Sequence, residues 1–371
     1  MMPYYLLFLI IYLSSYYDIC KGDSFQIRNS LYYLGFLTTL FFFIIFTGLK
    51  GNVGTDYEGY FNLYSIWGVK NYSDRFVSVQ IEPGFWLISH IGNLLKMPFP
   101  LFWFCIACIT LVTKFIFFRK FSPYIFLSLL IYLSGLYIER DFDGIRQGLS
   151  IGLAYISILF YLDKKKIKYI IFLLLAISIH YSSLVFLTIP LLYRIQIKKG
   201  IAYIIISIGI IFMTLKVNIF SFALTFLPKG YIESRINTYM TNSTYAGSIG
   251  LNIGIIVRIA IFILFCNIDC EKLSITQDVY NFLRNGFLFS ILCFLFFNNM
   301  EIIAHRLSYG YRELQIIIIP LCFKYYVMDR NFSNDLKVLA FQFYNFYAFI
   351  LFYRMINTPH LKEYYEYHFI F

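Results

Sequence analysis

Two apolar runs, residues 123–138 and 148–162, flank a stretch crowded with charge, Glu139-Arg140-Asp141-Phe142-Asp143-Gly144-Ile145-Arg146-Gln147. Each run is close to the roughly 20 apolar residues that cross a bilayer core. A charged stretch so placed faces a polar cavity or a headgroup far more often than lipid, which makes it a candidate functional site. The alternative is a solvated turn between two helices. Gln147 and the helical run after Arg146 argue against the turn, because they place a guanidinium at a helix N-terminus, which is already positive. An anion arriving there would satisfy both.

The same pattern of apolar runs and short charged clusters recurs along the chain. Of 371 residues 60% are hydrophobic, 22% aromatic and 14% charged, with a mean hydropathy of +0.69. Globular chains carry about 25% charged residues, so the composition predicts an all-α, polytopic integral membrane protein with roughly 10 to 14 transmembrane or re-entrant helices. The net charge of +11 does not point to nucleic acid, because Lys and Arg sit in clusters between spans. They read as determinants of topology under the positive-inside rule. The seven cysteines lie in spans or in loops expected in the cytoplasm. Their odd number and spacing argue against a disulfide framework, and Cys105 and Cys108 in an apolar helix read as packing. Residues 3–16 lack a basic flank and a cleavage site, and so read as a first span.

Lys21 and Arg28 after that span place the N-terminus outside. The second span, residues 30–49, leads to a first outer loop over 50–98, in which Glu82-Pro83 opens a helix with a polar cap and a proline in the first turn. If that helix crossed, the basic clusters Lys114, Arg119, Lys120 and Lys164-Lys165-Lys166-Ile167-Lys168 would both fall outside. We therefore expect it to be interfacial or re-entrant, with the charged stretch on the outer side. Residues 168–194 are basic at both ends and predict a hairpin of two short helices joined near His180-Tyr181-Ser182-Ser183. Each would have about a dozen residues, roughly 18 Å against a core of roughly 30 Å. A second outer loop over 216–249 contains an amphipathic stretch, residues 231–239. No internal repeat or linker is visible, and a single membrane domain over 1–371 is expected.

In this topology Asp56, Glu58, Glu82, His90, Arg140, Arg146, His180, Arg235, Glu301, His305, Arg306 and Arg312 all fall on the outer side. Arginine suits phosphate, because its fork binds oxygen pairs and stays charged. Arg306 and Arg312 would be about 9 Å apart along a helix. The structural alternatives are pairing of an arginine with Glu313 or Glu301, a core histidine at His180, and a solvated turn at Asp56-Tyr57-Glu58. A further alternative makes Asp56 and Glu58 ligands for a hard cation. The preferred reading needs no metal and no other cofactor.

Five runs resemble the EpsG-like branch of the Wzy-type polysaccharide polymerases: Gly54-Thr55-Asp56-Tyr57, Glu82-Pro83-Gly84-Phe85, Gly144-Ile145-Arg146-Gln147, residues 176–184 around His180, and Arg306-Leu307-Ser308-Tyr309. Two features depart from the pattern: Gly51-Asn52-Val53-Gly54 stands where an arginine is common, and residues 139–143 are unusually acidic. The resemblance implies a GT-C-like glycosyltransferase of the bacterial inner membrane that joins oligosaccharide repeat units carried on undecaprenyl pyrophosphate, in making O-antigen, capsule or exopolysaccharide. Donor and acceptor would both be such lipid-linked oligosaccharides, with membrane lipid, a flippase and a chain-length regulator as further partners. Arg146 with Arg306 or Arg312, and Arg140, would hold the pyrophosphate; His180, Glu82 or Asp56 would be the base. A lipid-linked glycan ligase would use nearly the same parts. A flippase or transporter would need polar residues on both sides and at mid-membrane.

Overall fold

The computed structural model describes residues 1–21, 30–70, 81–217, 250–273, 275–330, 332–358 and 362–370. Arg28, Arg235, the amphipathic stretch 231–239 and most of the expected second outer loop lie outside the described residues. The described chain is helical, apart from one isolated antiparallel bridge between Lys50 and Phe369. It separates into two compact units, 1–186 with 326–371, and 187–325.

In the first unit, α1 (Met2–Lys21) and α2 (Ser30–Gly48) lead to a short α3 (Tyr57–Asn62). Then come α4 (Pro83–Leu94), α5 (Phe99–Phe121), α6 (Ile125–Gly135), α7 (Ile145–Leu162) and α8 (Lys166–Ile179), with α15 (Asn334–Asn357) near the C-terminus. The second unit contains α9 (Ile189–Arg194), α10 (Lys199–Thr214), α11 (Ile253–Cys266), α12 (Gln277–Phe296), α13 (Glu301–Arg312) and α14 (Gln315–Phe323). Among the described residues, α2, α5, α7, α12 and α15 are long and apolar enough to cross a membrane. The protein is a multi-pass membrane protein. Large side chains such as Leu34, Phe41, Ile109, Phe343 and Phe346 are exposed along these helices, as expected of surfaces that meet lipid.

Helix α7 is held against α5 by two small residues one turn apart, Gly148 and Gly152. A Cβ at Gly152 would lie 2.3 Å from Thr113 Oγ1 and 3.3 Å from the Thr110 carbonyl oxygen. Such small-residue spacing lets membrane helices approach closely where no hydrophobic force drives them together. On its other side α7 meets α8, where Ser150 Oγ donates to the Ala176 carbonyl at 2.7 Å.

Two expectations need correction. Lys114 is not an interfacial topology determinant beside Arg119 and Lys120. It is fully buried in α5 and paired with Asp141 at 2.7 Å, because the acidic stretch supplies a counter-charge at that depth. The second half of the expected hairpin is not one continuous α-helix: after His180 the chain runs through a 3₁₀ stretch, Tyr181–Thr188, into the six-residue α9. Pro190, within the first turn of α9, has no N–H to continue a ladder from upstream.

Candidate functional site

The charged stretch is wound as a π-helix, Tyr137–Phe142, followed by the start of α7. Such wide turns are rare and are frequently found at functional sites. Its charges go to four destinations. Glu139 pairs with Arg140 at 2.9 Å. Asp141 takes Lys114 and the Tyr132 hydroxyl, and lies so near α7 that a Cβ at Gly148 would meet its Oδ1 at 2.4 Å. Asp143 turns to the loop after α2, and Arg146 crosses to Glu82 at 2.8 Å. Two of the three carboxylates that make the stretch unusually acidic are thus buried and bonded within the protein.

Glu82 stands at the N-cap of α4, ahead of Pro83, yet its side chain does not cap that helix. Its carboxylate instead accepts from Arg146 and, in a long contact of 3.5 Å, from the Tyr181 amide. Gly84 makes this approach possible: a Cβ there would lie 2.3 Å from Ser178 Oγ and 2.8 Å from the Ser178 carbonyl. Arg146 has its guanidinium 5.8 Å from the Phe85 ring centroid, and its buried Nε has no acceptor among the described residues. Glu82 therefore satisfies only part of this cation. Beneath the pair lies an aromatic core that includes Tyr60, Tyr64, Phe85, Phe99, Phe102 and Trp103, together with Ile145, Leu149 and Ile179. It ties α3, α4, α5, α7 and α8 to one another and fixes where the polar groups stand.

His180 ends α8 in an extended conformation. Its Nδ1 accepts from the Ser182 amide at 3.1 Å, which leaves the proton of the neutral ring on Nε2. Alongside, Gln147 donates to Ser182 Oγ at 3.4 Å, so His180 and Tyr181 are tied to the first turn of α7.

Asp56 occupies the N-cap of α3, and it too makes no capping bond with its side chain. An N-cap aspartate normally accepts from the first turn, a contact worth about 1 kcal/mol; here that stabilisation is forgone. Although Asp56 is exposed as a residue, its carboxyl is raised above the usual carboxylate range. Partial desolvation is the larger cause and the charge of Asp143 the next, with Arg140, Arg146 and Lys50 opposing. Glu58, on the same short helix, accepts from Asn52 at 3.2 Å. Among the described residues no group of three His, Cys, Asp or Glu side chains could hold a metal ion.

Sequence reasoning missed Lys50. It is buried, donates to the Phe142 carbonyl, and lies 4.4 Å and 4.1 Å from the Trp103 and Phe142 ring centroids. Burial pushes its pKa down to about 7 against the opposing pull of Asp143 and Asp56. As one lysine at the end of a span, it carried no signal beyond that of a headgroup anchor.

The first unit thus brings together Glu82, Arg146 and the His180–Tyr181 turn, with Asp56 and Arg140 close enough to influence one another's charge. Arg306 and Arg312 belong to α13 in the second unit. Arg306 is exposed; Arg312 is buried, with its guanidinium 4.4 Å from the Tyr309 ring centroid. Glu301 of that helix faces His305 at 3.7 Å.

Helical spans with a polar cluster built on helix termini define a multi-pass membrane protein that carries a cluster of arginines and carboxylates. The EpsG family model matches residues 33–369. The chain belongs to the EpsG family, a family associated with glycosyltransferase-like polymerases in polysaccharide biosynthesis. No curated protein and no solved structure matches the chain.

Proposed function

We propose that the protein joins undecaprenyl-pyrophosphate-linked oligosaccharide repeat units into a surface polysaccharide, on the periplasmic or outer face of the bacterial inner membrane. The observation that carries this reading is an arginine, Arg146, with a donor unsatisfied among the described residues, in a cluster assembled from four separate runs of the chain that also holds Asp56, whose side chain makes no capping bond. Polymerisation at a polyprenyl pyrophosphate needs those two functions. The acceptor hydroxyl oxygen bonds to the donor's anomeric carbon as the bond from that carbon to the pyrophosphate oxygen breaks. The proton passes to a base, and the leaving group takes up negative charge.

Arg146 and Arg140 stabilise that developing charge. Among the three candidate bases, Asp56 fits best. The Glu82 carboxylate is engaged by Arg146, and Nδ1 of His180 is engaged by a backbone amide. A carboxyl with a raised pKa is a stronger base once ionised, and general-base efficiency follows that strength. Glu82 orients Arg146.

A ligase would differ only in its acceptor. The test is the lipid-linked glycan that accumulates when the gene is deleted. A single repeat unit is expected; accumulation of full-length polymer on the lipid would instead assign the ligase reaction.

A further inference from the structure

Residues 362–370 fold back on the loop that carries Asp56. The Gly51 amide donates to the His368 carbonyl at 2.9 Å, the Gly54 amide to the Tyr364 carbonyl at 2.7 Å, and the Ile370 amide to the Leu49 carbonyl at 3.1 Å. Approach is close enough that a Cβ at Gly51 would lie 2.6 Å from the His368 ring. Tyr367 stacks on Phe46 with ring centroids 4.5 Å apart, and its hydroxyl donates to the Phe46 carbonyl at 2.9 Å.

Asp143 then binds the loop and the tail together. Its Oδ2 accepts from the Thr55 amide at 3.1 Å, the Thr55 hydroxyl at 2.6 Å and the Tyr365 hydroxyl at 3.2 Å, while Oδ1 accepts from the Asp56 amide at 3.0 Å. The turn so held is one that few residues could form. Gly54 has φ +106°, and a Cβ there would strike Asp143 Oδ1 at 2.3 Å and approach Lys50 Nζ to 3.1 Å. Asp143 therefore fixes the backbone from which the Asp56 side chain springs, and Tyr365 is its donor from the tail.

We infer that Asp143 and Tyr365 are positioning residues for Asp56, Tyr365 acting from the C-terminal tail. The inference rests on the reading of Asp56 as the base. Neither residue touches substrate; they set the direction and the charge environment of the carboxylate. Besides Asp143, the charged groups acting on Asp56 are Arg140, Arg146 and Lys50, and the Tyr365 hydroxyl reaches it through Asp143. Removing that hydroxyl leaves Asp143 with one donor fewer and presents more negative charge to Asp56. Asp56 then ionises at higher pH.

The experiment compares Tyr365→Phe, Tyr367→Phe and Asp56→Asn in the full chain, using lipid-linked oligosaccharide extracted from cells that lack the gene. For Tyr365→Phe we expect kcat to fall about three- to tenfold, what one hydrogen bond of ordinary strength supplies. KM should be unchanged, and the acidic limb of the rate–pH profile should move to higher pH. Tyr367→Phe removes a tail hydroxyl that does not reach Asp143 and should keep the unaltered profile. Asp56→Asn should be inactive. An unaltered kcat and pH limb in Tyr365→Phe, beside an inactive Asp56→Asn, overturns the positioning role alone. A raised KM as the sole change, or the same pH shift in Tyr367→Phe, overturns it too, because either marks general loosening of the tail. Full activity of Asp56→Asn removes the underlying reading of the base.

Discussion

Asp141 and Arg146 stand in the same charged stretch, yet Asp141 pairs with Lys114 where neither side chain has any exposure, whereas Arg146 pairs with Glu82 where 21% of the arginine side chain and 10% of the glutamate side chain remain accessible. The first pair is closed. A neighbouring hydroxyl and a glycine face surround it, Asp141 Oδ1 has no hydrogen-bond partner among the described residues, and no ligand could enter without taking the helices apart. The second pair has an unused donor and an opening. An ion pair inside a membrane protein can thus be architecture or machinery, and exposure separates the two.

The largest expected effect comes from breaking the closed pair. Lys114→Met leaves an uncompensated buried carboxylate, a change that typically costs about 3–5 kcal/mol, and should sharply lower the protein level in membranes. Lys114→Met combined with Asp141→Asn removes both charges and keeps an acceptor for Tyr132; it should restore much of that level. Immunoblots of membrane fractions decide this, and a normal level for the single variant would make the pair dispensable.

Arg146→Ala should do the opposite, leaving the protein in the membrane while polymer disappears. Glu82 stays partly accessible, so its carboxylate is not stranded. Losing one charge-assisted contact of about 1.5–3 kcal/mol reduces transfer at least roughly tenfold. Arg146→Lys should also be impaired, since an ammonium keeps the charge but loses the planar fork. Glycan ladders normalised to membrane protein level measure both; full-length ladders from Arg146→Ala would make this pair architecture as well.

The smallest expected effect is none. With arginines holding the pyrophosphate, transfer in purified membranes should proceed unchanged in EDTA. Loss of activity that magnesium or manganese restores would favour Asp56 and Glu58 as ligands.

Much of the fold was legible because lipid imposes a simple rule on sequence. The span predicted to open at Ile145 and end at Leu162 is α7, and the proline after Glu82 begins α4. The four family-like runs in the first unit could be picked out by residue type and order, although nothing local tied Glu82 to Arg146. That pairing depends on how α4, α7 and α8 pack. Lys114 was misread for a related reason: positive charge near a span end looks alike whether it faces headgroups or a carboxylate within the protein. Gly148 and Gly152 did carry a readable spacing. Asp143, Lys50 and Tyr365 carried none, since their roles arise only when distant parts of the chain meet.

The fold-back of the tail also orders events in time. Tyr367 and the Phe46 carbonyl that it holds are 321 residues apart, which translation at about 5–20 residues per second covers in roughly 15–60 s. Until residues 362–370 leave the ribosome, the Asp56 turn lacks Tyr365 and its partners on the tail. A chain that stalls before that point can insert its helices and still lack a finished site. In such a protein, catalytic competence reports that synthesis has passed the last of these contacts.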